Sequence, residues 1–225
     1  PLCGLPLADY SLALLEAHGF TKAVVNAHHL PDSIHEWANN HSYELHVITE
    51  SPSILGTGGG LKNARHLLED AFVVVNGDIL CDVNLTKLIG QVRSFGTGPA
   101  GAMALRVQEA NESYGIVAAD LGGCVVDLVG LAKAKPAGQV DRSTHFTGIH
   151  ALNQEALDRV GEGKSCVVRS AYSDMVPKRR VGALTHSGLW VDLGTPGRYL
   201  EANLGVLSGA LKSALDPLAH AAWAL

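Results

Sequence analysis

A massed charge of one sign, paired cysteines and long apolar runs are all missing from this 225-residue sequence. The 17 Lys and Arg are outnumbered by 22 Asp and Glu, and the densest basic group is only Lys178, Arg179 and Arg180. A nucleic-acid backbone needs a concentrated basic face to displace its counterions, so nucleic acid is excluded as a partner. The four cysteines, Cys3, Cys81, Cys124 and Cys166, are far apart and form no C-x-x-C pair. They read as small buried hydrophobes in a reducing compartment, which points to the cytoplasm. No apolar run approaches the ~18–20 residues of a membrane span, and no charged-then-apolar leader opens the chain, so no membrane partner is expected.

Hydrophobic residues make up 47% of the chain, enough for a continuous core in one large α/β domain. Leu7, Tyr10, Leu14, Leu15 and His18 recur at helical spacing, Pro6 suits a first turn, and Gly19 stands where a left-handed cap is expected. The β-rich run at 21–26, a helix opening near Pro31 and a strand over 43–49 make a β-α-β unit. A loop over 50–60 leads to a helix carrying Leu61, Ala64, Leu67 and Leu68, then to Phe72-Val73-Val74-Val75. That unbroken apolar run predicts a strand buried on both faces of a parallel sheet. Asn84 can cap the next helix, and 102–107 reads as a further strand.

After Glu109 the pattern changes. Short strands over 114–119 and 124–129 flank Asp120-Leu121-Gly122-Gly123, a hairpin signal, and 146–152 is another strand. Helices over 154–160 and 167–175, strands over 181–185 and 189–191, and a helix over 196–207 follow, while the tail over 208–225 reads as a packing helix. One domain is expected, with halves at 1–108 and 109–207.

Three local features could carry chemistry. In Val75-Asn76-Gly77-Asp78 a carboxylate stands just past a buried strand, the edge at which open α/β sheets bind ligands. Asp78 is a hard oxygen donor of the kind Mg²⁺ takes, although a helix-capping Asp would look the same. Leu55-Gly56-Thr57-Gly58-Gly59-Gly60 is a glycine-rich loop running into a helix N-terminus. It is not a P-loop, because Leu61 and Asn63 stand where Gly and Ser or Thr are required, and the G-x-G-x-x-G pattern fails too. A flexible loop is its plain alternative. Trp190-Val191-Asp192-Leu193-Gly194-Thr195-Pro196 is a second acidic strand end followed by a helix start, so one metal could be clamped between Asp78 and Asp192.

Together with Tyr114-Gly115 and Phe146-Thr147-Gly148-Ile149, and in this order, these motifs resemble the sugar-1-phosphate nucleotidyltransferases, in particular the mannose-1-phosphate guanylyltransferases and N-acetylmuramate-1-phosphate uridylyltransferases. The likeness covers about 1–207. It implies a Rossmann-like, three-layer α/β/α nucleotide-diphospho-sugar transferase fold with a mostly parallel central sheet and a hairpin-containing sugar-binding half. It also implies transfer of a nucleoside monophosphate from a nucleoside triphosphate to a sugar-1-phosphate, by a monomer or homodimer. In the resemblance, Asp78 and Asp192 hold Mg²⁺ and are the catalytic pair. Leu55, Gly56, Thr57, Gly58, Gly59, Asn76 and Asp78 line the nucleotide, and Tyr114, Gly115, Lys135, Thr147 and Gly148 line the sugar phosphate.

Two departures stand out. Family members open with a strand and a G-x-G-T-R loop followed by Lys-Pro, ahead of the segment matching Pro1-Leu2-Cys3-Gly4-Leu5-Pro6; the natural protein is expected to carry that segment too. Ala134 stands where many relatives place Glu before Lys135-Pro136, which leaves the sugar open. A nucleotide-sugar sensor or regulatory subunit of the same fold, without turnover, is the alternative reading. His28, His29 and His35 are not expected to share an ion, since neighbours on a strand point to opposite faces.

Overall fold

The computed structural model describes residues 1–92 and 98–211. Helices and strands alternate at first: α1 (Leu7–Ala17), β1 (Lys22–Ala27), α2 (Pro31–Asn39), β2 (Glu44–Thr49), α3 (Gly56–Asn63) and β3 (Ala71–Val74). Gly19, at φ 80°, ends α1 as a left-handed glycine, and Pro31 opens α2, where its missing amide costs nothing. β4 (Ile79–Cys81), α4 (Leu85–Ile89) and β5 (Gly101–Val107) follow. The Asn84 side chain accepts the Lys87 amide at 2.8 Å and caps α4, a contact worth about 1 kcal/mol.

The second half opens with β6 (Val117–Asp120), β7 (Val125–Leu128), β8 (Ala132–Lys133) and β9 (Val140–Asp141), then the long β10 (Thr144–Asn153). After α5 (Gln154–Leu157), the segment expected as one helix is a π-helical turn, Val168–Tyr172, running into the short α6 (Ser173–Met175). β11 (Val181–His186), β12 (Trp190–Asp192) and α7 (Pro196–Leu207) complete the described chain. The expected tail helix lies outside the described residues beyond Leu211.

The fold is mixed α/β. β11, β5, β10 and β3 form one sheet, β1 pairs with β2, β4 pairs with β12, and β8, β7, β6 and β9 form the hairpin sheet. Parallel pairing holds for β1 with β2 and for β5 with β11. β10, however, runs antiparallel to both β3 and β5, so the expectation of a mostly parallel sheet is corrected at its centre. The cause is that burial on both faces hides strand direction: nearly every residue of β5 and β10 is buried, and such a run reads the same with parallel or antiparallel neighbours.

The two faces of β5 show how the core is divided. Met103 and Leu105 pack with Phe72, Leu152, Tyr172 and the hairpin residues Val117, Val125 and Leu128. Ala102 and Ala104, on the other face, leave room for Leu14, Leu85, Leu88, Ile149 and Trp190. Isolated bridges between Ile116 and His145 and between Cys124 and Gly182 fasten the hairpin sheet to β10 and β11. The dense basic triplet is spent on acids: Lys178 pairs with Asp174, Arg179 with Asp120 and Arg180 with Glu155.

Candidate active site

Asp78 and Asp192 are brought together by a ladder that sequence reasoning missed. β4 follows the Asn76-Gly77-Asp78 turn at once and pairs antiparallel with β12, placing Asp192 opposite Ile79. The Leu193 amide donates to the Asp78 carbonyl at 2.8 Å and carries the pairing one step further. A Cβ built on Gly194 would lie 3.0 Å from Asp192 Oδ1 and 3.5 Å from Asp78 Oδ2, so both carboxylates face the space above one glycine. Asp78 is exposed, and among the described residues its carboxylate takes no hydrogen bond.

Asp192 is held from several sides. Its Oδ1 accepts the Gly194 amide at 2.8 Å, while its Oδ2 accepts the Tyr114 hydroxyl at 2.9 Å and Arg198 Nη1 at 2.6 Å. Arg198 was not among the residues expected at the site. Its available signal was position: Thr195 caps α7, so Arg198 falls on the first helical turn and reaches back over the strand end before it. The Arg198 guanidinium also lies 5.6 Å from the centre of the Tyr114 ring.

Beneath Tyr114 is an aromatic stack. Its ring lies 4.6 Å from that of His145 and meets Trp190 edge-on at 5.5 Å, while Trp190 Nε1 donates to the Thr147 carbonyl at 2.8 Å. Arg106 covers Trp190 and pairs with Glu112. Burial holds the His145 imidazole below its ordinary pKa, with Arg106 adding to the effect, so the ring is neutral. Burial, with the Asp192 carboxylate beside it, raises the Tyr114 phenol, which keeps it a donor.

The other expected residues are placed less uniformly. Gly148, at φ 84°, sits where the β10–β5 register shifts, and the Asn76 side chain fills the space a side chain there would need. Asn76 and Gly148 are thus neighbours beside the Asp78 turn. Thr147 is buried: its hydroxyl donates to the Ala104 carbonyl at 2.9 Å and its own carbonyl accepts Trp190 Nε1. Gly115 backs onto Val129. Lys135 is exposed, and its carbonyl accepts Arg179 Nη1 at 2.8 Å.

The glycine-rich stretch is a helix, not the expected loop: Gly56 to Gly60 form the first turns of α3. The Ser165 carbonyl accepts the Gly58 and Gly59 amides, and Thr57 Oγ1 accepts the Val167 amide at 3.1 Å. The helix start therefore finds its acceptor within the chain. The glycines permit close packing, since a Cβ at Gly59 would overlap the Gly163 carbonyl and one at Gly60 the side chains of Asn26 and Glu50. A cleft of about 240 Å³ opens beside it, lined by Leu55, Gly59, Lys62, Asn63, Glu162 and Gly163. No hydrogen bond or ion pair among the described residues joins this helix to the Asp78 and Asp192 turns.

The donor set suits a small hard cation that keeps water and phosphate ligands. Mg²⁺ takes one or two protein carboxylates and completes its shell with water and substrate oxygens. Asp78 and Asp192 offer two, and among the described residues no group of three or more His, Cys, Asp or Glu forms a fuller cage. The candidates His28 and His35 take separate partners, the Glu50 carbonyl and the Thr49 hydroxyl.

The fold is a mixed α/β arrangement that brings two carboxylates to one turn, and comparison with known proteins supplies its class. The chain belongs to the nucleotidyl transferase family, whose model matches residues 1–209. It is 29% identical to the UTP–glucose-1-phosphate uridylyltransferase of Synechocystis sp. over 96% of this chain and 59% of that one. It is 26% identical to a putative mannose-1-phosphate guanyltransferase of Sulfolobus acidocaldarius over 92% of this chain and 56% of that one. The chain thus spans less than two thirds of the length of these relatives. Among solved structures it is similar to HddC from Yersinia pseudotuberculosis, at TM-score 0.70 and 21% identity, covering 91% of this chain and 87% of that one; this likeness concerns the fold.

Proposed function

We propose that the protein transfers a nucleoside monophosphate from a nucleoside triphosphate to a sugar-1-phosphate, giving a nucleoside-diphosphate sugar and pyrophosphate with Mg²⁺ as cofactor. The carrying observation is the meeting of Asp78 and Asp192 above Gly194 in a chain of the nucleotidyl transferase family. The relatives named as uridylyl- and guanylyltransferases of sugar-1-phosphates support this substrate class, and favour transfer over a binding-only role. Among the described residues no helix is long and apolar enough to cross a membrane. We place the reaction in the cytoplasm, carried out by a monomer or homodimer.

The reaction needs positioning and charge neutralisation rather than a covalent intermediate. A phosphate oxygen of the sugar-1-phosphate attacks the α-phosphorus, and the bond from that phosphorus to the bridging oxygen of the β-phosphate breaks as pyrophosphate leaves. When bound, the divalent ion would be held by Asp78 and Asp192 and would neutralise phosphate charge. Asn76, beside Asp78, and the Leu55 to Gly59 segment would border the nucleoside. Tyr114, Gly115, Lys135, Gly148 and the backbone of Thr147 would border the sugar phosphate, with the exposed Lys135 ammonium facing its anionic group.

Pyrophosphate release measured on the full-length protein, with UTP and GTP each paired with glucose-, mannose- and N-acetylmuramate-1-phosphate, tests this reading. Release with at least one pair, dependent on Mg²⁺, is expected. No release with any pair would contradict transfer.

A further inference from the structure

Arg198 occupies the oxygen of Asp192 that faces Tyr114, and it does so without being buried: its side chain is 43% exposed and that of Asp192 is 20% exposed. Two carboxylates close above one glycine repel each other unless a cation stands between or beside them. Of the two, Asp78 takes no hydrogen bond among the described residues, so the arginine neutralises only Asp192. A guanidinium on an exposed first helical turn can leave its carboxylate at small cost, because solvent and salt screen an ion pair with an exposed partner. Its exit is also prepared, since it already lies over the Tyr114 ring, which holds it when the ion pair opens.

We propose that Arg198 is the exchangeable counter-ion of Asp192: it orients the carboxylate in the resting site, and the incoming divalent cation competes with it for that carboxylate. This rests on the metal reading of Asp78 and Asp192 given above. Arg198 is then a positioning residue that sets how much divalent cation the site requires. The released guanidinium stays within the same turn, where it adds positive charge beside the phosphates.

The test uses metal alone. Mn²⁺ is titrated into the wild-type protein, Arg198→Ala and Asp78→Ala, with free Mn²⁺ read by electron paramagnetic resonance. Losing the competitor should tighten Mn²⁺ binding about threefold in Arg198→Ala, the fold-change expected for removing an exposed ion pair, while Asp78→Ala should abolish it. In parallel, Mg²⁺ is titrated into wild-type protein labelled at arginine Nε. The Arg198 resonance, identified by its loss in Arg198→Lys, should shift saturably as Mg²⁺ is added. Binding that depends on Asp78 but is equal or weaker in Arg198→Ala, or a resonance unmoved at saturating Mg²⁺, overturns the counter-ion role and leaves the metal reading standing. Absence of Mn²⁺ binding to both wild type and Arg198→Ala overturns both. The wild-type resonance experiment decides the matter even if Arg198→Ala fails to fold.

Discussion

The Tyr114 hydroxyl donates to Asp192 Oδ2 at 2.9 Å, tying the start of the hairpin half to an acidic strand end near the close of the described chain. Tyr114 is in turn fixed by stacking on His145 and by the edge of Trp190, so the carboxylate is oriented by a rigid aromatic wall. Tyr114→Phe keeps the stack and removes only the hydroxyl. A hydrogen bond to a charged group is worth roughly 1.5–3 kcal/mol, and Arg198 retains part of the hold, so kcat/KM is expected to fall about tenfold. Steady-state kinetics with thermal unfolding checks this, and unchanged kinetics would show that Tyr114 does not orient Asp192.

Asp78→Asn and Asp192→Asn should each lower kcat by about 10²–10³. The two should differ in stability. Asp78 is exposed and takes no hydrogen bond among the described residues, whereas Asp192→Asn weakens contacts to Arg198 and Tyr114. Urea denaturation should show Asp78→Asn near wild type and Asp192→Asn destabilised by about 1–2 kcal/mol.

The glycines of α3 are expected to behave against helix propensity. Alanine normally favours a helix interior over glycine by about 0.5–1 kcal/mol. At Gly59 its Cβ would meet the backbone of Gly163, whereas at Gly197 in α7 nothing lies within 4 Å. Gly59→Ala should therefore lose about 1–3 kcal/mol by overpacking, and Gly197→Ala should gain a few tenths. Differential scanning calorimetry, with Tm falling in the first and rising slightly in the second, checks the contrast.

Asp120 anchors the loop that carries Lys135. Burial alone would raise its carboxyl, but the Arg179 guanidinium and the amides of Ala137 and Cys124 together hold it down at about 2. A depressed carboxyl contributes stability that is complete above its unfolded value near 4 and is lost as pH falls toward 2, here on the order of 2 kcal/mol. Asp120→Asn should accordingly be less stable than wild type at pH 7, with the gap narrowing between about pH 4 and 2. Urea midpoints across that range measure it.

Much of the fold is legible where side-chain pattern and backbone chemistry agree. Asn84 caps α4, Gly19 closes α1, and α7 runs over Pro196–Leu207, the span expected of it. The direction of β10 is not legible, because a strand covered on both faces carries no alternation to mark its neighbours. β4 is missed because Ile79, Leu80 and Cys81 form too short a run to show a period, and Cys81 reads as part of the turn to α4. The glycines of α3 suggest a loop because propensity disfavours them in helices; the need for close backbone approach to Gly163 appears only in three dimensions. Asp78 and Asp192 are visible as acidic strand ends and Tyr114 through the family likeness, but the hydrogen bond that joins Tyr114 to Asp192 spans 78 residues and no local spacing encodes it.

The shared carboxylate site is tested most directly by crystals of the full-length protein grown with Mn²⁺ and a nucleoside-diphosphate sugar, using anomalous scattering at the manganese edge. The expected result is one strong peak bonded to both Asp78 and Asp192, with phosphate oxygens completing its shell. A peak elsewhere, or one bonded to only one of these two side chains, would contradict the site.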